Sequence, residues 1–146
     1  MGLLSAMDIS ASGLNAQRRR LEVISSNLAN ANTTRTIEGG PYRRKDLVFE
    51  SAPVQEAFNN TLNSAMAGQG EDGVEVSAIY EDEAPFLKKY DPSHPDADAE
   101  GFVLMPNVNP IEEMVNMISA TRSFEASVQS INTIKEIARK SLEIGR

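Results

Sequence analysis

The 146-residue sequence contains no cysteine and no tryptophan, and it contains a single histidine, His94. Without cysteine the chain cannot form a disulfide, a thiolate metal site or a cysteine nucleophile. Catalysis by His94 would require a positioned partner and a pocket, and the acidic residues around it give no spacing that indicates either. We therefore interpret His94 as a surface side chain.

Long apolar runs are also missing. No stretch approaches the roughly 18 apolar residues that a membrane-spanning helix needs. The first eight residues lack a basic region, and their apolar stretch ends at Asp8, too early for a secretory signal. We expect no insertion into a membrane and no cleaved signal peptide.

Positive charge is scarce in the middle of the chain. The net charge is -7, which argues against nucleic acid as the main partner. Residues 1–45 carry seven Lys/Arg and three Asp/Glu, residues 46–110 carry two and thirteen, and residues 111–146 carry five of each. An acidic middle region thus lies between two less acidic ends.

The N-terminal region carries the first helical pattern. Its apolar positions repeat every seven residues, with further apolar residues one turn away, which predicts an amphipathic helix. The helix is expected to end within residues 30–34, where asparagine and threonine compete for backbone hydrogen bonds, before the Gly39-Gly40-Pro41 loop. The repeating positions are Met7, Leu14, Leu21 and Leu28, supported by Leu4, Ala11, Ile24 and Ala31.

The C-terminal region carries a longer helical pattern. Asn109 is a typical N-cap, Pro110 suits the first helical position, and Gly145 marks a stop. Glu112 and Glu113 in the first turn favour the positive end of the helix dipole. One apolar stripe runs along this helix: Met114, Met117, Thr121, Phe124, Val128, Ile131, Ala138 and Leu142.

Short β-type segments lie between the two helical patterns. Residues 42–50, 74–80, 86–90 and 101–105 are β-branched, aromatic or alternating and are separated by Gly, Pro and Asp. Residues 57–66 fit either a helical turn or a loop. The sequence predicts an α+β fold with long terminal helices (residues 1–34 and 110–146) and a small, mainly β middle region (residues 35–109).

Two further patterns are candidates for chemical sites. Residues 96–101 alternate oxygen ligands as a calcium loop does, but Asn107 stands where the bidentate carboxylate is needed. Residues 81–83 are adjacent acids whose side chains point in different directions. Both are interpreted as solvated acidic turns, and we expect no metal, no cofactor and no enzymatic activity.

The apolar stripes predict association through helices. The stripe of a helix of ~32 residues requires nearly continuous packing to offset the cost of ordering it. Ile111, Val115 and Ile118 on a second face indicate more than one neighbour. Coiled-coil-like contacts between chains fit this pattern best. In an isolated chain we expect the helical ends to be disordered. The arginines at 18–20 favour pairing with the acidic middle of another copy over binding nucleic acid.

Two terminal motifs resemble a known family. The segment SSNLANANT (residues 25–33) is similar to the N-terminal signature of flagellar rod and hook axial proteins. The segments PNVN (106–109), EMVNMI (113–118) and RSFEAS (122–127) are similar to their C-terminal signature. The segments PYR (41–43), YDP (90–92) and DAEGFV (98–103) resemble the proximal-rod members, relative to which residues 59–69 form a variable loop.

The resemblance implies a structural subunit of the proximal rod that assembles helically into the drive shaft between motor and hook. It implies export by the flagellar type III apparatus without a cleaved signal, terminal helices packed in the rod and a middle region facing outward. A coiled-coil adaptor or secretion-associated binding protein remains the alternative, which electron microscopy of the native assembly distinguishes. The expected assembly contacts are Met7, Leu14, Leu21, Asn27, Leu28, Asn30, Asn32, Met114, Met117, Ile118, Arg122, Phe124, Val128, Ile131 and Leu142.

Overall fold

A computed structural model describes residues 2–53 and 72–144 of the chain. The described elements are two helices, α1 (Leu3–Ala29) and α2 (Pro110–Ile144), and four strands. The strands are β1 (Lys45–Pro53), β2 (Asp72–Glu81), β3 (Leu87–Tyr90) and β4 (Phe102–Met105). This order confirms the predicted α+β class. The predicted turn or loop at residues 57–66 and the variable loop at 59–69 lie outside the described residues.

Helix α1 ends where the asparagines begin. The Asn30 N–H still donates to the Ser26 carbonyl at 3.1 Å, but the Ala31 N–H reaches back only to Leu28, at 3.3 Å. A further turn follows, in which the Thr33 N–H donates to the Asn30 carbonyl. The Asn30 side chain also donates to the Ser26 carbonyl, at 2.9 Å, so this carbonyl accepts a local side-chain bond besides the helical one.

The strands form two separate two-stranded sheets among the described residues, β1 with β2 and β3 with β4. Strands β3 and β4 are antiparallel, with Leu87 opposite Met105 and Tyr90 opposite Phe102. The two aromatic rings meet edge to face, with centroids 5.3 Å apart, as aromatic pairs prefer. Gly101 precedes β4 with φ of 83°, a conformation that glycine adopts without strain.

Helix α2 begins at the predicted cap. Asn109 Oδ1 accepts a hydrogen bond from the Ile111 N–H at 3.2 Å, and the Asn109 carbonyl accepts one from the Glu113 N–H at 3.0 Å. Pro110 takes the first helical position. A backbone N–H at this position would have no acceptor within the helix, so proline loses no hydrogen bond there. At 35 residues the helix is about 52 Å long at 1.5 Å per residue. No helix in the described ranges combines the length and apolarity needed to cross a membrane.

The chain divides into two compact units. Unit 1 comprises Met1–Arg19, Phe49–Ser77 and Ala120–Arg146, and unit 2 comprises Arg20–Val48 and Ala78–Ser119. Unit 1 buries Ala16 and Ala120. The division into 1–34, 35–109 and 110–146 concerns roles in an assembly and stays a prediction. In unit 2 the buried side chains include Ile24, Asn27, Ala31, Tyr42, Val103, Val108 and Glu113.

Candidate assembly interface

The most buried side of α1 overlaps the predicted stripe only at its supporting residue Ile24. Met7, Leu14, Leu21 and Leu28 are only partly buried. The most buried positions on this helix follow another line, spaced by eight and three residues: Ala16, Ile24 and Asn27. This line includes small or hydrogen-bonding side chains, which let another segment approach the helix closely.

Asn27 lies inside unit 2 and is fully buried. Its Oδ1 accepts hydrogen bonds from the Lys45 backbone N–H at 2.9 Å and from the Tyr42 hydroxyl at 3.0 Å. Its Nδ2 donates to the Lys45 carbonyl at 2.8 Å and to Glu113 Oε2 at 3.1 Å. The amide thus ties the end of α1 to the start of β1 and of α2. Its polar atoms are thus satisfied within the chain, and the expected assembly contact at Asn27 stays a prediction.

Glu113 and Arg44 form the charged part of the same cluster. The Glu113 side chain is 1% exposed, and its Oε1 accepts a hydrogen bond from Arg44 Nε at 2.8 Å. Burial lowers the pKa of Arg44, but the hydrogen bonds and charges of Glu113 and Asp46 outweigh it and raise the pKa above its ordinary value. The guanidinium therefore stays charged, and it compensates the buried carboxylate.

Asn107 fixes the backbone beside this ion pair. Its Oδ1 accepts the Arg44 backbone N–H at 2.8 Å, and its Nδ2 donates to the carbonyls of Asp82 and Ala84. We call Asn27, Tyr42, Arg44, Asn107 and Glu113 the buried polar cluster. Apart from Asn27, sequence reasoning gave none of these residues a role in packing.

The sequence contains one indication that Glu113 is buried. It lies four residues before Met117 and seven before Ala120, on the same side of the helix as the apolar stripe. A carboxylate at a stripe position needs a partner when it is buried. The position of Glu113 in the first turn already explains an acidic residue there, through the helix dipole. Its partner Arg44 is too distant in sequence for any local pattern to indicate the ion pair.

The other two asparagines of the N-terminal motif, Asn30 and Asn32, lie close to the end of α1. Asn30 is partly buried, and its Oδ1 accepts a hydrogen bond from the Thr33 hydroxyl at 3.2 Å. Asn32 is exposed. Both lie in the turn that follows α1, and their role in assembly stays a prediction.

Helix α2 leaves much of its predicted stripe uncovered. Met117, Phe124 and Ile131 are partly buried. Met114 is 45% exposed, Val128 37% and Leu142 76%. Ile118 and Arg122 are also exposed. Exposed apolar residues that recur along one helix are typical of an interaction surface.

The acidic turn after β3 uses its carboxylates internally. Asp98 Oδ1 accepts the backbone N–H groups of Glu100 and Phe102, both at 2.9 Å, and Asp96 Oδ2 accepts the Thr34 hydroxyl at 2.7 Å. Hydrogen bonds from Ser93 lower the pKa of Asp91. His94 Nδ1 accepts the Asp96 N–H at 3.1 Å. In residues 2–53 and 72–144, no three His, Asp or Glu side chains are grouped as metal ligands.

Comparison with known proteins gives two family matches. Residues 7–35 match the family described as flagella basal body rod protein. Residues 99–144 match the family described as flagellar basal body rod FlgEFG protein C-terminal. The second match includes α2 and Asn107, and the first includes Asn27.

Several curated relatives match over essentially the whole chain, and each is named flagellar basal-body rod protein FlgC. The relative from Bacillus subtilis (strain 168) is 48% identical over the full length of both chains. The relative from Borreliella burgdorferi is 43% identical over 99% of this chain and 98% of its own. The relative from Salmonella typhimurium (strain LT2) is 42% identical over the full length of both.

Proposed function

Because this chain belongs to the FlgC family of flagellar basal-body rod proteins, we propose that it is a structural subunit of the proximal rod. It assembles helically with other copies and with other rod proteins, and the resulting shaft transmits torque from the motor to the hook. It performs this role through contacts and not through catalysis. It acts in the basal body, in the part of the rod that spans the periplasm.

The uncovered apolar side chains of α2 are the observation that carries this proposal. They extend from Met114 in the second turn to Leu142 near the last turn. Exposure of these apolar side chains to water is unfavourable, with a free-energy cost of about 25 cal/mol for each Å² of apolar surface. Neighbouring chains that cover the stripe remove this cost. A helical assembly requires two different surfaces on each copy, and α1 with Met7, Leu14, Leu21 and Leu28 supplies a second partly covered stripe.

Electron microscopy of purified basal bodies tests the proposal. Density for this chain, with α1 and α2 in the rod wall, is the expected result. Basal bodies that lack the chain, or that hold it only as a loosely bound peripheral protein, would favour an adaptor instead. A strain without the gene should make no rod beyond the subunits that precede this one.

A further inference from the structure

The β3–β4 sheet of unit 2 exposes apolar side chains on one of its faces. Residues paired directly across an antiparallel ladder share a face, so Tyr90 lies on the same face as its partner Phe102. Because side chains alternate along a strand, Lys88 and its partner Leu104 lie on that face as well. Tyr90 is 65% exposed, Leu104 43% and Phe102 37%, whereas Val103 on the other face is 1% exposed. We call Lys88, Tyr90, Phe102 and Leu104 the outer face of the sheet.

A cleft lies between this outer face and the loop that follows α1, and both of its walls belong to unit 2. Phe102 and Leu104 line the sheet side, and Arg35 and Pro41 line the loop side. The volume of the cleft is about 390 Å³. This volume falls within the range of small-molecule sites, roughly 300–1,000 Å³.

The cleft keeps polar groups that a ligand can use. The Thr34 hydroxyl donates to Asp96 Oδ2 at 2.7 Å and joins the loop to the turn before β4. Asp98 Oδ1 accepts two backbone N–H groups, while no donor among the described residues reaches Asp98 Oδ2. In the same part of the chain, no hydrogen bond or ion pair engages the Arg35 guanidinium. The cleft therefore offers both a charged donor and a carboxylate acceptor.

An aromatic surface beside such polar groups matches the chemistry of a sugar. A pyranose ring has C–H groups on its face, which pack against an aromatic ring, and hydroxyl groups at its edge, which donate to carboxylates and accept from guanidinium. The rings of Tyr90 and Phe102 meet with centroids 5.3 Å apart. The aromatic surface thus extends beyond the cleft and has room for more than one sugar ring.

Charge favours an uncharged ligand. Residues 46–110 carry two Lys/Arg and thirteen Asp/Glu, so their field repels nucleic acid, anionic lipid and acidic proteins. A neutral glycan meets no such repulsion, and it can still form hydrogen bonds with Arg35 and Asp98.

We propose that the outer face and its cleft bind a neutral glycan strand of amino sugars, of the kind found in the cell wall. Tyr90 and Phe102 pack against successive sugar rings, Arg35 donates to an acetamido or hydroxyl oxygen, and Asp98 accepts from a hydroxyl. The assignment of the wall as the source rests on the proposed function, because a rod that spans the periplasm passes through the wall.

An NMR titration of the purified, isotope-labelled chain tests the binding, with the N-acetylglucosamine tetramer as the probe. Amide signals of residues 34–41 and 88–104 should shift at millimolar sugar. The tetramer should bind more tightly than the monomer, because Tyr90 extends the aromatic surface. The chain should also sediment with purified cell-wall sacculi. No shifts, shifts confined to other segments, equal affinity for monomer and tetramer, or a chain that stays in the supernatant would overturn the proposal.

Substitutions separate binding from folding. Arg35 is exposed, so Arg35→Ala should leave the urea midpoint unchanged and weaken tetramer binding about tenfold, which corresponds to about 1.4 kcal/mol. Tyr90→Leu keeps an apolar side chain beside Phe102 but removes the flat ring, and it should weaken binding similarly. Lys140→Ala, at an exposed position of α2, is the matched control and should change neither.

Unchanged tetramer binding in either cleft variant would contradict the proposal. The proposed function has a separate test, the presence of the chain in basal bodies. A chain that is present there but binds no sugar would reject the glycan site alone.

Discussion

The buried carboxylate of Glu113 accepts a hydrogen bond from Arg44 Nε at 2.8 Å across 69 residues of sequence. Asn27 donates to the other oxygen of the same carboxylate, at 3.1 Å. One acid therefore joins the end of α1, the start of β1 and the first turn of α2.

Removal of the Glu113 carboxylate should destabilise the folded chain. Glu113→Ala removes one acceptor from the partly buried Arg44, which keeps Asp46, and one from the Asn27 amide, which keeps the Lys45 carbonyl. We expect a loss of roughly 2 kcal/mol in the free energy of unfolding. Urea unfolding followed by circular dichroism measures it. Glu125→Ala, at an exposed position of the same helix, should change stability by less than about 0.5 kcal/mol. Equal effects of the two substitutions would refute a structural role for the cluster.

Gly101 should not accept a side chain. Its φ is 83°, and an added Cβ would lie 3.0 Å from Tyr90 Cε2 and 3.2 Å from Pro92 Cβ. Gly101→Ala should therefore cost about 1–2 kcal/mol in a thermal unfolding experiment. Gly13 lies in α1 with no atom within 4 Å of an added Cβ, so Gly13→Ala should be neutral or stabilising by up to about 1 kcal/mol. If Gly101→Ala proved neutral, the assigned turn would be incorrect.

The sequence predicted the elements well but not the cluster that joins them. The start of α2 could be predicted because Asn109, Pro110 and the acidic residues of the first turn act on the helix end beside them in sequence. The strands were readable from alternation and from glycine and proline breaks. The pairing of Arg44 with Glu113, by contrast, depends on folding across distant segments, and no local spacing encodes it. The heptad indicated a helix correctly, yet its leucines are only partly buried. The line of most buried side chains on α1 is Ala16, Ile24 and Asn27.

Amide exchange on the isolated chain should separate two classes of helical residue. The last turns of α1 around Ile24 and Asn27 are buried in unit 2, so their amides should exchange slowly. For this part of α1 the prediction differs from the sequence-based expectation of disordered ends in an isolated chain. Residues 128–142 of α2 include exposed Val128, Ile137 and Leu142, and their amides should exchange quickly without neighbours. Uniform protection of both segments in a verified monomer would contradict the need for assembly contacts.

The N-terminal segment should also be required for export. If the chain leaves the cytoplasm unfolded through the flagellar apparatus, deletion of residues 2–31 should retain it in the cytoplasm. A Leu4→Ala substitution serves as a control that keeps the segment. Immunoblots of cell and culture-supernatant fractions from a strain that cannot complete its hooks measure export. Normal secretion of the deletion variant would place the signal elsewhere.

Substitution of Phe124 tests the assembly role of α2 most directly. Phe124→Asp places a charge in the centre of the stripe, at a cost of several kcal/mol in every copy. Glu143→Ala removes an exposed charge, and Asp96→Ala removes an exposed carboxylate whose hydrogen bond to the Thr34 hydroxyl is itself exposed, so both changes should have little effect. The measurement is soft-agar motility of the three strains, with export and basal-body content checked by immunoblot. We predict that only Phe124→Asp abolishes motility and basal-body incorporation while export continues. A motile Phe124→Asp strain, or an immotile Asp96→Ala strain, would contradict a structural role through the α2 stripe.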